Sequence, residues 1–155
     1  MQKITSFTID HIRLQTGLFV SRVDSVGNEK ITTLDIRMTR PNAEPVMDTA
    51  AAHAFEHLGA TWLRNNPQWQ DKIIYFGPMG CRTGFYLVMF GKLNASDILP
   101  LVRDAFAFIE SFEGDIPGAS AVECGNYQEQ NLNMAHYYAR KYLKALEQPS
   151  LIYPD

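Results

Sequence analysis

The sequence contains little of what secreted, membrane-spanning or nucleic-acid-binding proteins require. It has only 2 cysteines among 155 residues and no run of lysine and arginine. No apolar run approaches the roughly 20 residues of a membrane span, and the first residues carry no apolar segment typical of a secretion signal. We therefore expect a cytoplasmic protein whose two thiols stay reduced and whose partners include neither nucleic acid nor a membrane.

The composition predicts one globular domain over residues 1–155. The chain is 46% hydrophobic and 20% charged, so it can bury a core and need not be disordered. Its length suits one domain. The net charge of −3 argues further against nucleic acid as a partner, because phosphate binding requires a dense basic patch.

Hydrophobic periodicity predicts an α+β fold in which an antiparallel sheet packs against helices. Residues 6–10 are predicted to be extended, Arg37 to lie on the polar face of its strand, and residues 77–80 to form a turn. Asp48 and Ser96 are predicted helix N-caps, with Pro100 in the first turn after Ser96. The predicted strands are Gly17–Val26, Ile31–Met38, Lys72–Phe76 and Gly84–Phe90, and the predicted helices run from Asp48 to Asn65, from Ser96 to Gly114 and from Asn131 to Gln148.

The segment His53–His57 is the first candidate for chemistry. Because each helical residue turns by about 100°, His57 lies about 40° round from His53 and one turn along, so both imidazoles can bind one divalent ion. Glu56 lies at the edge of the same face, where it could act on substrate or water without being a ligand. The alternative is a chance pair on an exposed helix, but the surrounding residues are apolar, and buried imidazoles need partners.

The two cysteines are candidates for the remaining roles. Catalytic metals usually have three protein ligands and one open position, and Cys124, in a loop before Gly125, is the best candidate for the third. Cys81 follows the predicted turn and precedes Arg82, and a nearby cation can activate a thiol for acid–base work. For each cysteine, the alternative is an inert residue of the core.

Five motifs in one order make the chain resemble the S-ribosylhomocysteine lyases, bacterial enzymes that make the precursor of autoinducer-2. Each motif alone is weak, but together they are specific and span nearly the whole chain. The motifs are Ser6–His11, Asp35–Arg37 with Pro41–Asn42, His53–His57, Gly77–Tyr86 and Glu123–Tyr127.

The resemblance implies a two-layer sandwich that works as a homodimer in quorum sensing and the methionine cycle. It also implies one divalent metal per subunit, physiologically iron(II) and replaceable by zinc or cobalt. The implied reaction moves the carbonyl of S-ribosylhomocysteine along its sugar and then eliminates the thioether. The products are homocysteine and 4,5-dihydroxy-2,3-pentanedione.

By position, the resemblance assigns a role to each motif. Tyr75 departs from many relatives, which have an acidic residue there that contacts the homocysteine amine, and Gln130 replaces a common histidine. The resemblance implies the metal ligands His53, His57 and Cys124, the acid–base pair Glu56 and Cys81, and the substrate-binding residues Ser6, His11, Arg37 and Arg64, some of them reaching in from the partner subunit.

Two other functions are compatible with the His53–His57 motif. A small metallopeptidase of the inverted His-x-x-Glu-His type would complete its site with a distant glutamate, Glu123 or Glu129. That alternative gives the two cysteines no role, and the chain is short for a peptide-binding cleft. A non-catalytic metal-binding module is the third alternative, but such a protein would not need the Glu56 and Cys81 pair.

Overall fold

The protein is seen in a computed structural model that describes residues 1–154, and it consists of one antiparallel sheet and three helices within those residues. The sheet has four strands in the order β1-β2-β4-β3. This arrangement confirms the predicted α+β fold. In chain order, the elements are β1 (Gly17–Val26), β2 (Glu29–Arg37), α1 (Thr49–Arg64), β3 (Ile73–Pro78), β4 (Gly84–Phe90), α2 (Ala95–Ser111) and α3 (Leu132–Ala145).

The helices cover one face of the sheet. Leu34 and Ile36 alternate along β2 and are buried against apolar residues of the helices, such as Phe55 of α1 and Phe106 of α2. Period-two alternation places such residues on one face of a strand. No helix among residues 1–154 combines the length and apolar character needed to cross a membrane.

The opposite face of the sheet is polar, as predicted for Arg37, but near the end of β2 this face is also buried. Alternation does place Arg37 away from the helices, yet only 2% of it is exposed. Asp35, two residues earlier, is 1% exposed and pairs with it at 2.6 Å. Tyr153, from the end of the described chain, covers this pair and donates a hydrogen bond to Asp35. A contact over 118 residues of sequence cannot be read from the pattern of β2.

Three local predictions were wrong. In each case, a hydrogen bond between a side chain and the backbone stabilises a local structure other than the predicted one. Residues Thr5–Phe7 form a 3-10 turn, stabilised where the Thr8 hydroxyl donates to the Thr5 carbonyl at 2.7 Å. The N-cap of α2 is Asn94, whose backbone N–H donates to the Asp97 carboxylate at 3.4 Å. The helix therefore begins earlier than Ser96, and Pro100 lies in its second turn.

The predicted turn at residues 77–80 begins later than expected. Gly77 and Pro78 still pair with β4, and the reversal lies between Met79 and Gly84. Pro78 is tolerated because β3 is an edge strand, and pairing continues beyond it where the Met79 N–H donates to the Gly84 carbonyl at 2.9 Å. As a result, Cys81 stands at the tip of this reversal.

Candidate metal centre

Helix α1 places the two histidines on one side of a firmly fixed element. Its N-cap is Asp48, as predicted, because the carboxylate accepts from the Ala51 backbone N–H at 2.8 Å. Phe55 and Leu58 are fully buried and set the rotation of the helix. His53 and His57, one turn apart, are half-buried at the border of that apolar face, with ring centroids 4.7 Å apart.

Both imidazoles are held by backbone carbonyls of a loop that follows α2. His53 Nδ1 lies 2.8 Å from the Glu129 carbonyl oxygen, and His57 Nδ1 lies 2.7 Å from that of Pro117. A carbonyl oxygen can only accept, so each Nδ1 carries the hydrogen and donates it. Each Nε2 is therefore left with its lone pair, which is the arrangement that metal-binding histidines have.

Gly118 lets this loop approach His57 closely. Its φ of +73° lies in the region that favours glycine. A Cβ atom at this position would lie 3.2 Å from His57 Nδ1. A side chain here would both strain the backbone and crowd the hydrogen bond to Pro117.

Cys124 lies where it can provide a third donor atom. Its Sγ lies 3.4 Å from His53 Nε2, and the ligand atoms of His53, His57 and Cys124 all lie within 4.8 Å of one another. Donors at about 2.1 Å (nitrogen) and 2.3 Å (sulfur) from a tetrahedral ion would be roughly 3.6 Å apart. The three residues thus fit one divalent cation, and two nitrogens with one sulfur suit a borderline ion such as iron, cobalt or zinc.

The glutamates of the same loop are engaged elsewhere, which disfavours the peptidase alternative. Glu123 accepts from the Ser120 hydroxyl at 2.6 Å. The carboxylate of Glu129 accepts from the Asn126 side-chain amide at 2.5 Å and from the Thr49 hydroxyl at the start of α1. Glu129 therefore ties the loop to α1 with its side chain while its carbonyl orients His53.

A separate cavity of about 460 Å³ collects most of the predicted substrate-binding residues. Ser6, His11 and Arg37 line it together with Cys81, at the end of the sheet where β3 turns into β4. Among residues 1–154, neither the three metal donors nor Glu56 lines this cavity. The chain thus carries two groups of predicted functional residues that a single copy does not join in one pocket.

Within the cavity, Arg37 connects a buried carboxylate to the thiol. One guanidinium nitrogen donates to Asp35 at 2.6 Å, and the other donates to Thr83 Oγ1 at 2.6 Å and lies 4.0 Å from Cys81 Sγ. Burial lowers the pKa of Arg37, but the charge of Asp35 and its hydrogen bond outweigh that effect and raise it. Arg37 is therefore a permanent cation beside Cys81, whose thiol also lies 3.1 Å from Thr83 Oγ1.

The remaining predicted residues lie outside this cavity. Glu56 is half-buried on α1 beside His57. Arg64, at the end of α1, donates to the Ile74 carbonyl of β3 at 2.7 Å. Tyr75 is 51% exposed, and its hydroxyl lies so close to Gly77 that a Cβ there would be 2.0 Å away.

Several residues that shape the two groups were not predicted. Asp35 lies two residues before Arg37 on the same face of β2, so that contact was accessible from the alternation of the strand. Thr83 lies inside a motif that the sequence singled out, but it is 46 residues from Arg37. The carbonyls of Pro117 and Glu129 belong to the backbone, so no residue type in the sequence indicates their role. The glycine at position 118, whose φ is positive, is the one local feature that accompanies the close approach of this loop to His57.

Comparison with known proteins agrees with this geometry. The family model described as S-ribosylhomocysteinase (LuxS) matches residues 4–150. The S-ribosylhomocysteine lyases of Finegoldia magna and Clostridium beijerinckii are 53% and 54% identical, each over 100% of both chains. That of Borreliella burgdorferi is 54% identical over 99% of this chain and 100% of its own. The chain therefore belongs to the S-ribosylhomocysteinase family.

Proposed function

We propose that this protein is a metal-dependent carbon–sulfur lyase that converts S-ribosylhomocysteine to homocysteine and 4,5-dihydroxy-2,3-pentanedione. The observation that carries the proposal is the three-donor group of His53, His57 and Cys124, with both Nδ1 atoms held on carbonyls. We further propose iron(II) as the resident ion, with zinc or cobalt as substitutes. A divalent cation held by these donors would supply Lewis-acid polarisation of the substrate carbonyl.

The reaction needs two groups that move protons between neighbouring carbons of the sugar. A proton is removed from the carbon beside the carbonyl and one is returned to the former carbonyl carbon, while the hydroxyl proton passes from the first carbon's oxygen to the former carbonyl oxygen. Together these transfers shift the carbonyl along the chain. Once the carbonyl stands two bonds from the carbon that carries sulfur, removal of the proton from the carbon between them forms a C=C bond and expels homocysteine thiolate, which takes up a proton. The resulting enol then tautomerises to the diketone. We assign these transfers to Cys81 and Glu56, and each acid–base group is typically worth about 10²–10⁴-fold in rate.

The cavity around Cys81 supplies the contacts that a polyhydroxylated substrate needs. Ser6 and His11 present a hydroxyl and an imidazole, and Arg37 presents a fixed cation that can bind sugar oxygens. We assign these three residues to substrate binding. We place Arg64 near the amino-acid end of the substrate and expect Tyr75, in place of an acidic residue, to alter recognition of its amine.

We propose that two copies of the chain build the active site together. The cavity with Cys81 and the metal donors form separate groups in one copy. Large apolar side chains are exposed beside both groups. Phe7 and Ile12, near the cavity, are 69% and 85% exposed, and Val122, near Cys124, is 97% exposed. Packing of these side chains against a second copy would remove them from water. A symmetric homodimer could bring the cavity of one copy against the metal donors of the other.

The two unpaired thiols support a cytoplasmic location for the enzyme. Cys81 is exposed and Cys124 is half-buried, and neither forms a disulfide. Reducing compartments keep such thiols free.

The direct test is incubation of the metal-loaded protein with S-ribosylhomocysteine, followed by a colorimetric assay for the released thiol. We expect one homocysteine per substrate consumed, with a reaction lacking substrate to correct for the thiols of the protein itself. Labelled casein, supplied as a peptidase substrate, should remain intact. Absence of homocysteine release from protein with a full complement of iron(II) or cobalt(II) would contradict the proposal.

The shared site predicts that two inactive variants restore activity when they are mixed. Cys81→Ala and His57→Ala chains, unfolded and refolded together, should form mixed dimers in which one site receives both intact halves. With random pairing, half of the dimers are mixed, so about a quarter of wild-type activity should return. If each chain contained a complete site, the mixture would stay as inactive as the separate variants.

A further inference from the structure

The last described residues form a strap along the edge strand β1. Gly17 pairs with Ser150, and the Leu18 backbone N–H donates to the Ser150 carbonyl at 3.0 Å. Three residues later, the ring of Tyr153 stacks on Phe19, with centroids 4.6 Å apart and planes within 12°. Phe19 pairs with Asp35 across the hairpin. The strap therefore brings Tyr153 onto the buried polar face of the sheet.

Tyr153 is one of two donors to a buried carboxylate. Its hydroxyl donates to Asp35 Oδ2 at 2.8 Å, and the same oxygen accepts from Arg37 at 2.6 Å. The other oxygen of Asp35 is buried without a hydrogen-bond partner among residues 1–154. A buried carboxylate with so few donors depends strongly on each of them for its orientation.

The contacts continue from Asp35 to the thiol. Arg37 donates to Thr83 Oγ1 at 2.6 Å, and that hydroxyl lies 3.1 Å from Cys81 Sγ. A series of polar contacts thus joins Tyr153 to Cys81 through Asp35, Arg37 and Thr83. Tyr153 itself is not among the residues that line the cavity.

The Tyr153 hydroxyl keeps its proton over the whole physiological range of pH. Burial raises the pKa of Tyr153, and the charge of Asp35 raises it further. The phenol therefore always donates to Asp35, and the contact is a fixed support rather than a switch.

We propose that Tyr153 is a positioning residue for the cavity: through Asp35 it holds the guanidinium of Arg37 against Thr83 and Cys81. The stack on Phe19 holds the strap in place, while the hydroxyl orients the carboxylate of Asp35. Tyr153 thereby contributes to substrate affinity and thiol reactivity without touching the substrate. Its effect on substrate affinity rests on the proposed lyase function, whereas its effect on the thiol does not.

The variant Tyr153→Phe isolates the hydroxyl because the phenyl ring can still stack on Phe19. We expect the KM for S-ribosylhomocysteine to rise about tenfold, as for loss of one hydrogen bond to a charged group, with a smaller fall in kcat. We also expect iodoacetamide to alkylate Cys81 at least about threefold more slowly, since a well-placed guanidinium promotes thiolate chemistry. The Cys81 peptide is followed by mass spectrometry in metal-loaded protein.

Two further variants make the test specific. Tyr137→Phe changes a tyrosine that is 51% exposed on α3 and should behave as wild type in both assays. Asp35→Asn should slow alkylation as well, and adding Tyr153→Phe to it should have no further effect, because both changes act through the same carboxylate. Additive effects, or alkylation and KM equal to wild type in Tyr153→Phe, would overturn the proposal. The alkylation assay needs no substrate, so its outcome stands even if no homocysteine is released.

Discussion

Cobalt(II)-loaded Cys124→Ala protein is expected to lack the thiolate-to-metal charge-transfer band of the wild-type protein and to bind the ion at least about 100-fold more weakly. Loss of an outer partner of a ligand already costs about 10–100-fold in affinity, and Cys124 supplies a donor atom itself. Its Sγ is 3.4 Å from His53 Nε2, a spacing that one shared ion would require. Near-ultraviolet absorption and competition with a chromogenic chelator measure the two effects.

Cys81→Ala is the matched control for this experiment. It removes the other thiol of the chain, which lies in the cavity with Arg37 and not with the histidines. The band should therefore persist in Cys81→Ala at its full intensity. If the band survives in Cys124→Ala, or disappears in Cys81→Ala, Cys124 is not the sulfur ligand.

Cys81→Ala and Glu56→Gln should each keep the metal and lose at least about 10²-fold in kcat. Both changes remove a group proposed to move a proton, and neither removes a proposed metal ligand. Loss of homocysteine release, with unchanged metal content by elemental analysis, is the expected result. The two variants should differ from His57→Ala, which should lose metal and turnover together.

Glu147→Gln is a suitable control for Glu56→Gln. Glu147 is an exposed glutamate just beyond α3, outside both groups of functional residues, so the same change of charge there should leave turnover near wild type. Substantial turnover by Cys81→Ala or Glu56→Gln would remove that residue from the proton transfers. Loss of metal from Cys81→Ala would instead identify a ligand.

Strands and helix ends that are determined by neighbouring residues in the sequence were predicted correctly in most cases. The bounds of β1 and β4 agree with the alternation of their residues, and the N-cap of α1 is the predicted Asp48. Ser96 was a plausible cap by the same rule, but the reciprocal pairing of Asn94 with Asp97 was stronger. Competing caps within three residues differ by side-chain geometry that the sequence pattern does not contain.

The metal donors show where sequence patterns reach their limit. His53 and His57 follow from helix periodicity alone, because the helix itself brings them together. Cys124 is 71 residues from His53, so no periodicity connects the two. Its place in a loop before Gly125 made it the best candidate for the third ligand, and the order of the family motifs supported the same choice. The burial of Arg37 was missed for a similar reason, since the strap that carries Tyr153 packs on β1 from the far end of the chain.

The carbonyls of Pro117 and Glu129 have a consequence for how binding energy is distributed in this protein. They lock both imidazoles into one tautomer and one rotamer when the chain folds, so the entropy of ordering these side chains is lost at folding and not when the ion arrives. Affinity for the ion is thus partly stored in the conformation of residues 115–131, most of which never touch it. Substitutions in that loop are therefore expected to change how tightly a cation is retained while the donor set stays the same.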